Sequence, residues 1–181
     1  LYPGTAASDT TSSALDEELK FLQAESYVIT ASKVLEHKDR SISTVSVITQ
    51  DQIRALGAKD LQDVLNTVPG INTTQSSLGA KKIGMRGIIS DNSEKVLILL
   101  NGHPLDHNLT NGGSTNIYDT IALDNVKRIE IVRGPGSLLY GANALLGTIN
   151  IITKHVDDQQ GSQVTATGGS YGTQQYNVYS A

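Results

Sequence analysis

Four histidines, at positions 37, 103, 107 and 155, are the residues best suited to metal or acid–base chemistry in this chain, and it has no cysteine. His103 and His107 have a four-residue spacing. That spacing aligns two ligands only on a helix, and Gly102 and Pro104 argue against one, so both read better as polar loop residues. Without cysteine, thiolate metal sites, thiol nucleophiles and disulfides are all excluded. No Ser–His–Asp arrangement can be assembled from local spacing. Gly136 to Asn143, GSLLYGAN, has the two-glycine spacing of a phosphate loop but carries Ala142 where such a loop needs lysine. No reaction chemistry, cofactor or resident metal is called for, and the chain does not read as an enzyme.

Charge removes another class. The first 30 residues hold five acids and one base, which accounts for the whole net charge of −4. The remainder is balanced, and neither part has the basic face that nucleic acid requires. No apolar run approaches the ~18 residues of a membrane helix. No signal peptide opens the sequence; in an exported protein it would already have been removed.

The chain is organised around Val126 to Thr153, VKRIEIVRGPGSLLYGANALLGTINIIT. Val126 to Val132 alternates, with Val126, Arg128, Glu130 and Val132 on one side and Lys127, Ile129 and Ile131 on the other. This predicts a strand with one apolar and one charged face. Thr148 to Thr153 is almost continuously β-branched and predicts a strand covered on both sides. Upstream, Thr44 to Thr49 alternates as a strand, and Thr49 can cap a helix over Asp51 to Leu56 that Gly57 ends. A second helix fits Lys59 to Val68, stopped by Pro69-Gly70. An extended segment starts at Ile71, and a loop spans Gln75 to Lys82. Ile83 to Ile88 and Lys95 to Leu100 read as strands joined by a short turn. They are therefore expected to run antiparallel, which puts the loops Gln75 to Lys82 and His103 to Ser114 at one end of the sheet. Asn101-Gly102 is a turn signal. Gln163 to Gly169 and Gln174 to Ala181 read as two further strands, the second carrying Tyr176 and Tyr179. At the other end, residues 1–14 are small and polar and are expected to be mobile. Leu15 to Gln23 places three leucines on one helical face; it is either a short docking helix or a solvated leader.

The central stretch resembles the signature of the plug domain of TonB-dependent outer-membrane receptors, IERIEVVRGP, then S-x-x-YG, then GGVINIIT. Here it stands as Val126 to Pro135, Ser137-x-x-Tyr140-Gly141 and Gly147 to Thr153. Gln52-Ile53, Asp63-Val64-Leu65 and Pro69-Gly70-Ile71 extend the similarity upstream. Glu25 to Ser32, ESYVITAS, resembles a TonB box. One departure is Asn101-Gly102, where the family usually has Asp-Gly.

The resemblance implies an α+β plug domain with a small mixed β-sheet and short helices, followed by the first strands of a transmembrane β-barrel. The expected organisation is a flexible acidic leader at 1–24, the TonB box at 25–32, the plug at 33–156 and the start of the barrel at 157–181. The implied function is gating of uptake of a scarce solute, such as a ferric siderophore, cobalamin or haem. The implied location is the outer membrane, with the plug inside the barrel and the N-terminus in the periplasm. The implied partners are TonB with its inner-membrane energising complex, the chain's own barrel, and a small-molecule or metal-chelate ligand. Glu25, Ser26, Tyr27, Val28, Ile29, Thr30 and Ala31 are expected to bind TonB. Arg86, Arg133 and Glu130 are expected to latch the plug to the barrel, since an arginine fork suits bidentate bonds to carboxylates. Ser76, Ser77 and Leu78 in one loop, and Asn108, Thr110, Asn111 and Gly112 in the other, are expected to face ligand. The alternative is a stand-alone periplasmic interaction module with a plug fold and no barrel.

Overall fold

The computed structural model describes residues 26–33, 36–37, 39, 43–77, 79–105, 121–141, 143–155, 158, 161–168, 172 and 174–180. Its centre is a five-stranded mixed sheet of order β3-β8-β9-β6-β7. These strands are Thr44–Thr49 (β3), Val96–Leu100 (β6), His103–Pro104 (β7), Val126–Arg133 (β8) and Gly147–Thr153 (β9). Only β6 and β9 run parallel; the other pairs are antiparallel.

One face of this sheet holds the main core. Ile48, Val96, Ile98, Val126, Ile129, Ile131, Ile149 and Ile151 pack there against α1 (Gln50–Leu56), α2 (Leu61–Leu65) and the ribbon of β4 (Ile71–Gln75) and β5 (Lys81–Met85). Both helices start where the sequence supplies a cap. Thr49 and Gln52 form a reciprocal capping box on α1, and Gly57 closes it in the left-handed region at φ 62°. Asp60 Oδ1 accepts from the Asp63 amide and starts α2 two residues later than its apolar spacing predicts, and the helix ends at Leu65.

The opposite face is also covered. Leu97, Leu99, Ala144 and Tyr140 form a second cluster there, and Glu130, Thr148 and Asn150 are buried beside it. β8 thus has two covered faces rather than one apolar and one charged face. A bulge between Val126 and Arg128 shifts the alternation, so Val126 joins Ile129 and Ile131 in the core instead of siding with Glu130. Gly147 allows β9 to lie close to β8: a Cβ there would stand 2.5 Å from the Val132 carbonyl oxygen.

The expected hairpin of Ile83 to Ile88 with Lys95 to Leu100 does not form. β5 pairs with β4, while β6 pairs with β9 and β7. β5 ends at Met85 because Arg86 and Gly87 take φ of 55° and 79°, a tight turn that bridges Ile88 back to Met85. Asn101 and Gly102, at 50° and 81°, make the same kind of two-residue turn between β6 and β7. Two further ribbons complete the architecture: β1 (Tyr27–Val28) with β2 (Glu36–His37), and β10 (Ser162–Gly168) with β11 (Gln174–Ser180).

Candidate functional site

Glu130 lies in the middle of β8, opposite Asn150 on β9 and Val47 on β3, with none of its surface exposed. A buried carboxylate needs partners, and it has four donors. Its Oε2 accepts from the Ile29 amide (2.9 Å), the Thr30 amide (2.9 Å) and the Thr30 hydroxyl (2.7 Å). Its Oε1 accepts from Arg128 Nε at 2.8 Å. Asn150 Nδ2 donates to Thr30 Oγ1 at 3.0 Å, and Asn150 Oδ1 accepts from the Gly102 amide at 3.0 Å. The N-terminal segment is therefore seated on the second face of the sheet, with Val28 and Thr30 buried and Tyr27 and Ile29 partly exposed. Only Tyr27–Val28 is extended; Ile29 to Lys33 turns, with the Lys33 amide donating to the Ile29 carbonyl at 2.8 Å. Lys33 Nζ lies 4.6 Å from the centre of the Tyr140 ring, a cation–π contact at the end of that turn. Burial, and then the Glu130 charge, push the Tyr140 phenol above its ordinary value of 10.0.

Both Glu130 oxygens are thus engaged beneath the N-terminal segment. The two arginines do meet each other. Arg86 Nη2 donates to the Arg133 carbonyl at 3.1 Å, and Arg133 donates to Pro69 O and Ser46 Oγ, each at 2.8 Å. Arg133 closes β8 as expected, whereas Arg86 sits in a left-handed turn rather than a strand. Among the described residues neither guanidinium meets a carboxylate, and the buried Arg133 Nε has no hydrogen-bond partner.

Ser76 closes the β4–β5 loop, its hydroxyl accepting from the Ala80 amide at 3.0 Å, while Ser77 is exposed at the tip. Glu25, Leu78, Asn108, Thr110, Asn111 and Gly112 lie outside the described residues.

Asn150 was not among the expected site residues. Its signal was an amide in the middle of a β-branched run, where a side chain covered on both faces must find donors and acceptors. Arg128 and Tyr140 were missed because their roles depend on the register of β8 against its neighbours.

The comparisons with known proteins decide the family. The family model for the TonB-dependent Receptor Plug Domain matches residues 37–148. The chain belongs to that family. It is similar to the vitamin B12 transporter BtuB of Photobacterium profundum, 33% identical over 146 residues, covering 80% of this chain and 23% of that protein. BtuB of Vibrio vulnificus is 34% identical over 145 residues, 79% of this chain and 23% of that protein. The chain thus spans under a quarter of these relatives. Among solved structures, the pyoverdine outer-membrane receptor FpvA of Pseudomonas aeruginosa has a TM-score of 0.66 at 19% identity, covering 84% of this chain and 21% of that one. The alcaligin outer-membrane receptor FauA of Bordetella pertussis has the same TM-score at 22% identity, covering 87% and 26%. At these identities the structural likeness shows the fold, and it is the plug fold.

Proposed function

We propose that this chain is the plug and the first barrel strands of an outer-membrane active transporter, which gates uptake of a scarce solute and is driven by TonB acting on residues 25–31. The observation that carries this reading is the seat of Ile29 and Thr30 on Glu130 within a plug fold. A β-rich N-terminal segment is held by a few polar contacts at the sheet surface, where it can be taken up by a partner strand. The same reading assigns Arg86 and Arg133, whose guanidinium groups meet no carboxylate among the described residues, to carboxylates of the surrounding barrel. It also assigns β10 and β11 to that barrel. Val164, Ala166, Tyr176 and Val178 share one face of this ribbon and are exposed, Val164, Tyr176 and Val178 each at 70%, as lipid-facing positions of an outer-membrane strand are.

The similarity to vitamin B12 transporters and the plug fold shared with siderophore receptors make cobalamin and ferric siderophores the first solutes to test, with haem a third. The experiment is uptake by the full-length receptor in cells lacking their own transporters for these solutes. One of the labelled solutes should accumulate, and accumulation should stop when TonB is deleted while binding to the cell surface persists. Accumulation that is indifferent to TonB would refute the energised mechanism.

A further inference from the structure

β9 ends at Thr153 and β10 begins at Ser162, so residues 154–161 join the plug to the ribbon assigned above to the barrel. The start of this link is fastened to the plug. The Lys154 amide donates to the Asn125 carbonyl at 2.9 Å, and the Lys154 ammonium donates to the Asp124 carbonyl at 2.8 Å. Gln50 Nε2, at the start of α1, donates to that same Asp124 carbonyl at 3.1 Å. The link then returns to the plug a second time, at Asp158. Its Oδ1 meets Lys127 Nζ at 2.5 Å, and its Oδ2 accepts from the His155 amide at 2.9 Å. Its own amide donates to the His155 carbonyl at 2.9 Å. The Lys127 ammonium and the His155 amide hold the Asp158 carboxyl below its ordinary value of 3.8, so the pair is ionised at neutral pH.

We propose that Lys127 and Asp158 form a catch that keeps the tether between plug and barrel short, and that its release gives the plug room to move during gating. The proposal rests on the reading of β10 as the first barrel strand and names what limits the plug's travel. With the catch closed, the chain is held to the plug as far as Asp158, and the three residues 159–161 span the distance to Ser162. With it open, the last fastening is Lys154, and the span grows to the seven residues 155–161. The four residues released add about 14 Å of reach, at ~3.4 Å per extended residue. The two fastenings differ in kind. Lys154 is held through its backbone as well as its ammonium, at a carbonyl that Gln50 shares. Asp158 is held to the plug by one ion pair whose side chains are 43% and 30% exposed, and a pair so open to water is weak and screened by salt. That weakness suits a catch: it closes the resting plug and yields well before the seven-pair β8–β9 ladder behind it. The bulge in β8 also gains a purpose. Lys127 is its extra residue, without a partner on β9, which puts the ammonium within reach of the link.

The first arm of the test is amide hydrogen exchange in the full-length receptor in outer-membrane fragments. Lys127→Met keeps the side-chain stem and removes the charge. The amides of residues 155–158 should then exchange up to about fivefold faster, the scale of one partly exposed ion pair, while those of β8 and β9 keep their rates. Lys127→Arg should retain the parent's exchange. Added salt should speed exchange at 155–158 in the parent and not in Lys127→Met. Equal exchange in the parent and Lys127→Met overturns the catch. The second arm locks it. This chain has no cysteine, so Lys127→Cys with Asp158→Cys can be bridged by a bismaleimide that carries a reducible disulfide in its spacer. Each single cysteine variant, treated in the same way, supplies the control. The probe is whichever of labelled cobalamin and ferric siderophore the parent accumulates. The double variant should take it up before bridging, lose most of that uptake once bridged while surface binding persists, and regain it on reduction. Full uptake by the bridged receptor overturns the role in gating. Exchange needs no transport, so faster exchange in Lys127→Met with no solute accumulated by the parent would sustain the catch and sink the transport reading.

Discussion

Arg86 occupies a left-handed turn, which costs a non-glycine residue roughly 1 kcal/mol. Among the described residues its side chain makes one hydrogen bond, to the Arg133 carbonyl. Strain retained for so small an internal return fits a guanidinium kept for an external partner. Arg86→Gly removes that guanidinium and relieves the turn at once. In the full-length receptor it should raise permeability to a large antibiotic while leaving the plug's thermal stability equal or higher. Lower stability with unchanged permeability would make Arg86 a structural residue. Asp60 offers a cleaner electrostatic case. Partial burial raises its pKa, but the Lys81 ammonium 2.6 Å away and the Asp63 amide outweigh it and hold the carboxyl below its ordinary value of 3.8. A depressed carboxylate contributes stability above its unfolded pKa and loses it as pH falls through the folded one. Asn caps a helix as well as Asp does, so Asp60→Asn isolates the charge. The variant should lose up to ~1 kcal/mol at neutral pH and converge with the parent as pH falls through the depressed carboxyl pKa, below 3.8, measured by denaturant melts across pH.

At the scale of elements, the strands and caps with local causes were legible in the sequence. β3, its Thr49 cap, Gly57, the Asn101–Gly102 turn and the fully covered β9 all stand where residue type and periodicity place them. What was not legible depends on partners distant in the chain. Nothing local tells Ile83 to Met85 to pair backward with β4 instead of forward with β6, and only the bulge puts Val126 in the core. The candidate site divides the same way. Residues 26–31 stood out as a β-rich segment, but the carboxylate and amide that seat it come from β8 and β9, and nothing local tied Glu130, expected as a latch to the barrel, to a segment 100 residues upstream. The seat also sharpens what proline does in this segment. At position 29 it removes an amide that bonds Glu130 and that the proposed strand pairing with TonB would need. Ile29→Pro should therefore abolish energised uptake while solute binding at the cell surface stays normal, as should Val28→Pro. Paired binding and uptake on whole cells checks this, and normal uptake in both variants would move the partner strand elsewhere, with Leu15 to Gln23 the next candidate.

For the molecule as a whole, the two faces of one sheet do different work. The first is an ordinary core of β-branched and leucine side chains against two short helices; the second combines a small apolar cluster with the polar seat. The strand order has a further consequence, for the time at which this structure can exist. Thr30 lies 120 residues before Asn150, and Ser46 lies 87 before Arg133. A chain emerging N-terminus first makes β3 and β6 long before β8 and β9, so β3, and the edge of β6 that β9 will occupy, wait unpaired until the last quarter of the domain arrives. Such non-local pairing is slow to form and leaves edges open to wrong partners in the interval. Domain assembly should thus run backward along the chain, from the β8–β9 pair outward to β3 and then to the N-terminal segment. A fragment ending at residue 125 should show no cooperative thermal transition by circular dichroism, whereas one ending at residue 156 should. An intact transition in the shorter fragment would mean that the upstream half carries its own folding nucleus. Until β9 is complete, the N-terminal segment has no seat to close on, and a holding chaperone is the natural custodian of the chain during that delay.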